Sequence, residues 1–358
     1  MSTDQHGVVF PISGDGRRST TAVGRAVVAD ALRSCDPTGA LQAEQETNWR
    51  SGYVLHFRRL VEAGLASRDA CLGIATAGLA SLGSRLAVVD GSGDELRLAE
   101  WAASDPPQGF ETVTVTGTGT PERELSLPFH GQRLRGDALR DRLDSWVTAG
   151  VLEPSAADAV RAVMTHPEWL RLDGRTVAVL GAAAEMGPLQ SLLRWGARVA
   201  AVDLPRPELW ERLTQTAAAG AGTLLVPVRP GGSETLERRA GADLVADVPA
   251  VARWLGDLPG PLVLGNYVYA DGATNVRLSV AVDALTTRLQ DARDLALGFL
   301  ATPTDVFAVP HEAVEQATRN YEHRSGTARL LGRPLRAASA AVASPGCSWV
   351  PAAAPGCR

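Results

Sequence analysis

A turn of small residues in the second half of the chain is the first feature that could do chemistry. It reads Gly181-Ala-Ala-Ala-Glu185-Met186-Gly187 and follows the apolar run TVAVLG. Where a buried strand enters such a turn and a helix follows, backbone amides face outward and can bind a phosphate group. Glu185 places a carboxylate in this turn, and a carboxylate repels a phosphate nearby. The turn therefore predicts a ligand site, but Glu185 leaves open whether the ligand group bound there is an anion or a cation.

Asp203 is the second candidate, because it ends the next apolar run, ARVAAVD. An acid about 20 positions after the first glycine typically hydrogen-bonds a ribose hydroxyl of a dinucleotide. This spacing predicts a nucleotide cofactor, and the acid favours NAD over NADP, although Arg206 could tolerate a 2′-phosphate. The alternative is that Asp203 only caps the loop DLPRP.

The outer glycines of the turn match the GxxxGxG pattern of the short-chain dehydrogenase/reductase family, with Glu185 in place of the middle glycine. Over about residues 175–310 the chain resembles this family of NAD(P)-binding Rossmann-fold proteins. The resemblance implies that Asp247 approaches the adenine and that Asn266 takes the Asn position at the end of the fourth strand. It also implies that Thr302 or Thr304 stands where the catalytic serine would be.

The catalytic YxxxK pair of that family is absent. The fourth residue after Tyr321 is Ser325, and all 35 basic residues of the chain are arginine. The absence of lysine also excludes a Walker-type phosphate lysine and a Schiff base. Another group must therefore move the proton if the chain does hydride chemistry.

The loop GNYVYADGATN offers such a group in Tyr269 and Asp271, which could serve as proton donor and orienter. Thr304 is the third catalytic candidate. The alternative is a turn stabilised by Asp271 and Asn275 with Tyr267 and Tyr269 packed as core, since Asp, Asn and Gly are common turn residues. No His spacing suits a metal, so we expect no metal site. The predicted cofactor-binding set is Gly181, Glu185, Met186, Gly187, Asp203, Asp247, Asn266 and Thr302.

Five apolar runs alternate with helical patterns after Arg175, which predicts a parallel sheet buried on both faces. They are TVAVLG, RVAAVD, TLLVPV, PLVLGNYV and ALGFLATP. We therefore predict an α/β fold: a doubly wound, Rossmann-like C-terminal domain at 173–336 with a smaller mixed α+β N-terminal domain at 1–135. The N-terminal domain would cover the substrate. A helical connector would occupy 136–172, and the Ala/Pro/Gly-rich tail 337–358 is predicted to be disordered.

Within the N-terminal part, the first 25 residues show no periodicity and are predicted to be extended. Two segments with apolar residues three and four apart, SGYVLHFRRLVEAGL and CLGIATAGLASLG, predict helices. The segment FETVTVTGTGTPERELSLPFHGQRL alternates on both sides of a Gly/Thr/Pro turn, which predicts a hairpin.

The composition limits the partners. A net charge of −5 does not favour nucleic acid or an anionic membrane. The N-terminus lacks the order of a signal peptide, and no apolar run is long enough to span a bilayer, so we expect a soluble cytoplasmic protein. The expected partner is a small-molecule substrate, and a homodimer is left open.

The leading hypothesis is an NAD(P)-dependent oxidoreductase without the usual Tyr–Lys pair. An S-adenosylmethionine-dependent methyltransferase is the alternative, because Glu185 would attract a sulfonium or amino group. Those enzymes usually carry an acid two residues before the first glycine, where this chain has Val179. A third hypothesis is a non-catalytic dinucleotide sensor.

Overall fold

The computed structural model of the chain describes residues 6–14, 16–106, 108–300 and 308–323. Its strands are β1 (Gly7–Val9), β2 (Ala87–Val89), β3 (Glu95–Arg97), β4 (Glu111–Thr116), β5 (Leu127–Phe129), β6 (Gln132–Leu134), β7 (Thr176–Leu180), β8 (Arg198–Val202), β9 (Thr223–Val228), β10 (Leu262–Asn266) and β11 (Leu295–Phe299). Its helices are α1 (Thr20–Leu32), α2 (Pro37–Gln45), α3 (Trp49–Gly64), α4 (Arg68–Arg85), α5 (Leu98–Ala103), α6 (Gly136–Thr148), α7 (Pro154–Thr165), α8 (Leu189–Trp195), α9 (Pro207–Ala219), α10 (Leu236–Arg239), α11 (Leu244–Gly256), α12 (Gly272–Ala292) and α13 (His311–Glu322). The predicted site residues Thr302 and Thr304 and the predicted tail lie outside the described residues.

A six-stranded sheet in the order β11-β10-β7-β8-β9-β4 lies at the centre. The strands β7 to β11 are parallel, and β4 pairs antiparallel with β9. Helices connect the parallel strands, as right-handed crossovers require in such sheets. The predicted α/β class is confirmed, with a mixed sheet dominated by parallel strands.

The parallel strands are apolar on both faces because helices cover both faces. All five residues of β7 are buried. One face packs on α8 and α9 through residues such as Leu193 and Trp210. The other face packs on α11 and α12 through residues such as Val251 and Leu285. Each large side chain that is fully buried in these layers contributes about 1.5–3 kcal/mol.

The predicted hairpin around residues 110–134 is wrong. The first half of that segment, β4, pairs with β9 from Glu111↔Val228 to Thr116↔Thr223, and the short hairpin forms later between β5 and β6. After β4, Gly117 donates its N–H to Gly222, and a Cβ on Gly117 would collide with the carbonyl of Gly220. The apolar alternation in this segment therefore belongs to β4, an edge strand of the main sheet whose partner β9 is distant in sequence.

The expectation that the first 25 residues are extended is also wrong. The strand β1 is short, and α1 begins at Thr20 after Ser19, whose hydroxyl accepts the N–H of Ala22 as an N-cap. The strands β1, β2 and β3 form a small antiparallel sheet that packs with α5 on α11 and α12. Arg277 of α12 is buried there and donates to the carbonyls of Val8 and His6.

Several other helices agree with the sequence pattern, whereas α1, α2 and α5 were not predicted. The predicted helices around residues 51–65 and 71–83 are α3 and α4, and the predicted connector forms α6 and α7, with Pro154 in the first turn of α7. Residues before and after the predicted boundary near 135 share one apolar cluster, which joins Val8 and Trp101 to Leu255 and Leu285. None of the helices in the described part of the chain is long and apolar enough to cross a membrane.

Candidate functional site

The central sheet reverses its strand order between β7 and β10. From β7 the chain moves through β8 to β9 on one side, whereas β10 and β11 lie on the other side. In open α/β sheets, ligands bind beyond the carboxyl ends of the strands at such a reversal, because the two loops there leave in opposite directions. The loops after β7, β8 and β10 at this edge hold most of the predicted site residues.

Gly181 begins the turn after β7 with a φ of +77°, a conformation that favours glycine. A Cβ at this position would lie 2.9 Å from the carbonyl oxygen of Tyr267, so the turn and the end of β10 are in close contact. Two tight hydrogen bonds shape the rest of the turn, from Ala184 N–H to Gly181 O and from Gly187 N–H to Ala184 O, both 2.9 Å. The sequence therefore folds into a compact turn that needs a glycine at its start.

Asp203 closes the turn from the neighbouring strand. Its Oδ2 accepts the N–H of Ala183 at 2.7 Å, and its Oδ1 accepts the N–H of Leu204 at 2.8 Å. The structure thus brings Asp203 and the glycine turn together, as the spacing predicted. Both carboxylate oxygens hold backbone groups, in agreement with the capping alternative, yet an ionised carboxylate has about four acceptor sites and retains capacity for further donors.

Glu185 and Met186 form the outer part of the turn. Both are exposed, Met186 to 78%. Within the described residues, neither their backbone N–H groups nor the Glu185 carboxylate has a hydrogen-bond partner. The amide of Ala182, by contrast, donates inward to Val202 O. The two outward amides are the part of the turn that can hold an anion, and Glu185 is free to turn away from it.

Asp247 lies in the first turn of α11, beyond the end of β9. Its Oδ2 accepts the N–H of Asp243 at 2.9 Å and pairs with Arg229 at 2.9 Å. The preceding segment also contacts the end of β8, since Ala242 N–H donates to Asp203 O at 2.9 Å. The structure therefore places Asp247 at the same edge as Asp203, already engaged by an arginine.

Asn266 and Tyr267 end β10. The Oδ1 of Asn266 accepts the N–H of Val268 at 3.3 Å, and its carbonyl accepts the N–H of Leu300 at 3.2 Å, so it joins the ends of β10 and β11. Tyr267 packs its ring over Gly265 and against the core, and burial raises the pKa of its phenol. These contacts show that Asn266 and Tyr267 stabilise the ends of β10 and β11 at the site.

Tyr269 and Asp271 lie in the loop between β10 and α12. The Tyr269 hydroxyl donates to Asp271 Oδ1 at 3.3 Å, and Tyr269 is 62% exposed. The predicted pair is therefore formed, with its phenol accessible to a ligand at the carboxyl edge. The turn alternative, which placed both tyrosines in the core, therefore holds for Tyr267 but not for Tyr269.

Arg229 is the residue at this edge that the sequence reasoning missed. It follows β9 directly, pairs with Asp247 and lies over the ring of Phe110 at 5.4 Å. Its position after the run TLLVPV was the available signal, because residues that follow parallel strands point to the ligand edge. It adds a cation beside the acid Asp247.

Two surface cavities lie at the opposite edge, where strands begin. One of about 550 Å³ is lined by residues 290–295, and one of about 400 Å³ is lined by residues 168–175. Each is lined by one short stretch of chain and contains no cluster of candidate catalytic groups. In the described part of the chain, no group of His, Cys, Asp or Glu side chains is arranged to hold a metal ion.

Comparison of the chain with models of protein families, with curated proteins and with solved structures finds no match. The site is therefore interpreted from its own geometry.

Proposed function

We propose that residues 173–336 form a Rossmann-like domain that binds NAD, and that the chain is an NAD(P)-dependent oxidoreductase acting on a small molecule. One observation carries the proposal: the reversal of strand order between β7 and β10 coincides with the Gly181 turn and with Asp203 at the neighbouring strand end. These are the three parts that a doubly wound fold uses for a dinucleotide.

The polar groups of the edge suit the parts of a dinucleotide. The free amides of Glu185 and Met186 would hold the pyrophosphate, and Asp203 would accept from the ribose. Asp247 and Asn266 would flank the adenine side and the nicotinamide side of the site. Arg229 lies nearby, but the Asp203 carboxylate disfavours the second phosphate of NADP.

Proton transfer is assigned to Tyr269 and Asp271. Bound NAD would supply a hydride acceptor, and an alcohol substrate must lose a proton when it is oxidised. The Tyr269 oxygen can take that proton while the Tyr269 proton passes to Asp271, since the two groups already share a hydrogen bond. This relay requires neither lysine nor the Tyr–Lys pair. Thr302 and Thr304 remain candidates from the sequence alone.

The N-terminal part is proposed to act as a cap domain, with the division between 135 and 172, that stays attached to the sheet domain through β4 and a shared apolar cluster. Arg277 holds His6 and Val8 against the beginning of α12, which starts just after the Tyr269 loop. His6 therefore lies near the ligand edge. Limited proteolysis that cuts first between 135 and 172 would support the division, and first cuts between Gly181 and Asp203 would contradict it.

A methyltransferase that binds S-adenosylmethionine is the second candidate, and the exposed Glu185 favours it. A carboxylate at this turn attracts the cationic amino or sulfonium group of that cofactor but repels a pyrophosphate. The same fold could bind NAD or S-adenosylmethionine, so a binding measurement must distinguish the oxidoreductase from the methyltransferase. A sensor would bind the dinucleotide without turnover.

Calorimetric titration of the full chain with NAD, NADP and S-adenosylmethionine tests the proposal. We expect NAD to bind best, and Asp203→Asn to weaken NAD about tenfold, because one acceptor of the ribose is lost. Glu185→Gly and Glu185→Gln should leave NAD binding unchanged or tighter. The matched control is Glu208→Gln in the exposed first turn of α9.

Loss of NAD binding in Glu185→Gly, with the fold intact by circular dichroism, would overturn the oxidoreductase. Binding of S-adenosylmethionine alone, abolished by Glu185→Gln, would establish the second candidate. If NAD binds but no alcohol in a substrate screen is oxidised, by the wild type or by Tyr269→Phe, the result would support the non-catalytic sensor.

A further inference from the structure

Three arginines surround one glutamate on the α8 side of the molecule. Measured to Oε1 of Glu122, Nε of Arg133 lies at 3.9 Å, Nη2 of Arg135 at 3.5 Å and Nε of Arg194 at 3.7 Å. Arg133 and Arg135 come from β6 and its end, Arg194 from the last turn of α8, and Glu122 from the loop after β4. We call Arg133, Arg135 and Arg194 the arginine triad.

The arginine triad carries more charge than its partner balances. Three positive groups share one carboxylate, and no other carboxylate of the described residues lies within 4 Å of their nitrogens. Glu124 is the next acid along the loop, and it forms no ion pair with them in the described part of the chain. Two positive charges are therefore left over on a chain whose net charge is −5.

The guanidinium groups are held close together at a cost. Burial lowers the pKa of Arg194, and the charge of Arg133 lowers it further. The Nε of Arg194 is buried and has no hydrogen-bond partner among the described residues. Glu122 lies at ion-pair distance from all three arginines, but within the described residues its carboxylate accepts a single hydrogen bond, from the Ser126 hydroxyl at 2.9 Å. An added anion would relieve the repulsion that Glu122 only partly offsets.

Several contacts fix the arginine triad in place. Arg133 donates to the buried Ser126 Oγ from Nε at 2.9 Å and from Nη2 at 2.7 Å, and Arg194 donates from Nη2 to Ser191 at 3.0 Å. The backbone N–H of Glu122 donates to the carbonyl of Arg194 at 2.9 Å, which ties the loop to α8. A site whose side chains are already ordered loses little entropy when a ligand binds.

We propose that the arginine triad binds a phosphate dianion, either free or as a phosphate monoester. Guanidinium groups match phosphate oxygens with paired N–H donors, and three of them suit a doubly charged group better than a carboxylate. Arg135 is the outermost member and donates no hydrogen bond to described residues, so its donors are free for the ligand. The triad lies at the far end of α8 from the glycine turn and is separate from the proposed NAD site.

The test titrates the full chain with inorganic phosphate and with phenyl phosphate at pH 8, at ionic strength held constant with NaCl. We expect both dianions to bind and to raise the unfolding temperature, and a dialkyl phosphate, with a single charge, to bind at least fivefold more weakly. Arg135→Gln should weaken both dianions about fivefold, since one charged donor group is lost. Glu122→Gln should tighten them, because the competing carboxylate is removed.

The control is Arg140→Gln, on the adjacent helix α6, where Arg140 pairs with Asp137 and with no other acid among the described residues. If phosphate has no more effect than NaCl, or if Arg135→Gln and Arg140→Gln change the affinity equally, the arginine triad is a structural network and the proposal is wrong. Because the Arg135 side chain donates no hydrogen bond within the described part of the chain, we expect Arg135→Gln to fold normally. Inorganic phosphate that binds without phenyl phosphate would restrict the site to the free ion.

Discussion

Helices α11 and α4 differ in how they are held, although both have apolar sequences. The helix α11 has 13 residues and buries nine of them, among them Val251, Trp254 and Leu255. The helix α4 has 18 residues, with no charge between Asp69 and Arg85, yet Ser81 is its only buried residue. An apolar composition therefore does not by itself tell whether a helix belongs to the core.

A polar cluster fastens α4 to α1 instead. Ser81 donates to Asp30 Oδ2 at 2.6 Å, and Arg85 donates to the same oxygen at 2.7 Å and to Ser81 at 3.0 Å. The helix α11 is held by burial of apolar side chains, which is insensitive to pH. The helix α4 is held by the Asp30 carboxylate, which can be protonated. The four predictions that follow test this difference.

The largest effect is expected from Val251→Asp in α11. Val251 is fully buried in the apolar cluster between α11, α12 and the sheet, so a carboxylate at this position would be desolvated without a partner. We expect the free energy of unfolding to fall by about 4 kcal/mol or more, or the protein not to fold. Urea denaturation followed by circular dichroism measures it, and a loss below about 2 kcal/mol would contradict the assigned burial.

Ser81→Ala in α4 should cost less, about 1–2 kcal/mol. The hydroxyl donates to a carboxylate, and such bonds are among the stronger ones, but Asp30 keeps Arg85 and Arg33. The control is Ser84→Ala, which we expect to be nearly neutral, because among the described residues the Ser84 hydroxyl donates to the Ser81 carbonyl alone. Equal losses in the two variants would show that the Ser81–Asp30 bond does not hold α4.

The Asp30 cluster also predicts a dependence on pH. The Ser81 hydroxyl, with Arg85 and Arg33, lowers the Asp30 pKa from 3.8 to about 2. Because the folded-state pKa is depressed, its stabilisation is present above pH 3.8 and is lost as the pH falls through about 2. After allowance for solvent screening we expect a loss of about 1 kcal/mol relative to Asp30→Asn. Urea denaturation from pH 5 to pH 2 tests this, and parallel curves for the two proteins would refute it.

Leu79→Asp in α4 should have the smallest effect, although it places the same side chain as Val251→Asp on a helix of similar composition. Leu79 is 50% exposed, so the new carboxylate remains hydrated. We expect a change within about 0.5 kcal/mol. A loss comparable with that of Val251→Asp would mean that another surface covers α4 in solution.

The sequence predicted the parallel strands well, because burial on both faces produces unbroken apolar runs such as Thr176–Leu180. It also predicted that Asp203 meets the glycine turn, since the strand–turn–helix spacing is local. It did not predict the partner of β4, because alternation shows that one face is buried but not which strand lies alongside. Nor did it show Arg229 beside Asp247 or the arginine triad around Glu122, because the path of the intervening loops decides which charged side chains meet.

The pairing of β4 with β9 has a consequence during synthesis of the chain. The ribosome releases β4 roughly a hundred residues before its partner, so β4 emerges with no strand to join. Until then the TVTV segment is an uncharged, β-prone stretch of the kind that chaperones cover and that aggregates when left free. Conversely, a C-terminal fragment without β4 would present β9 as an open edge to its neighbours. The two halves should therefore express better as one polypeptide than as separate pieces.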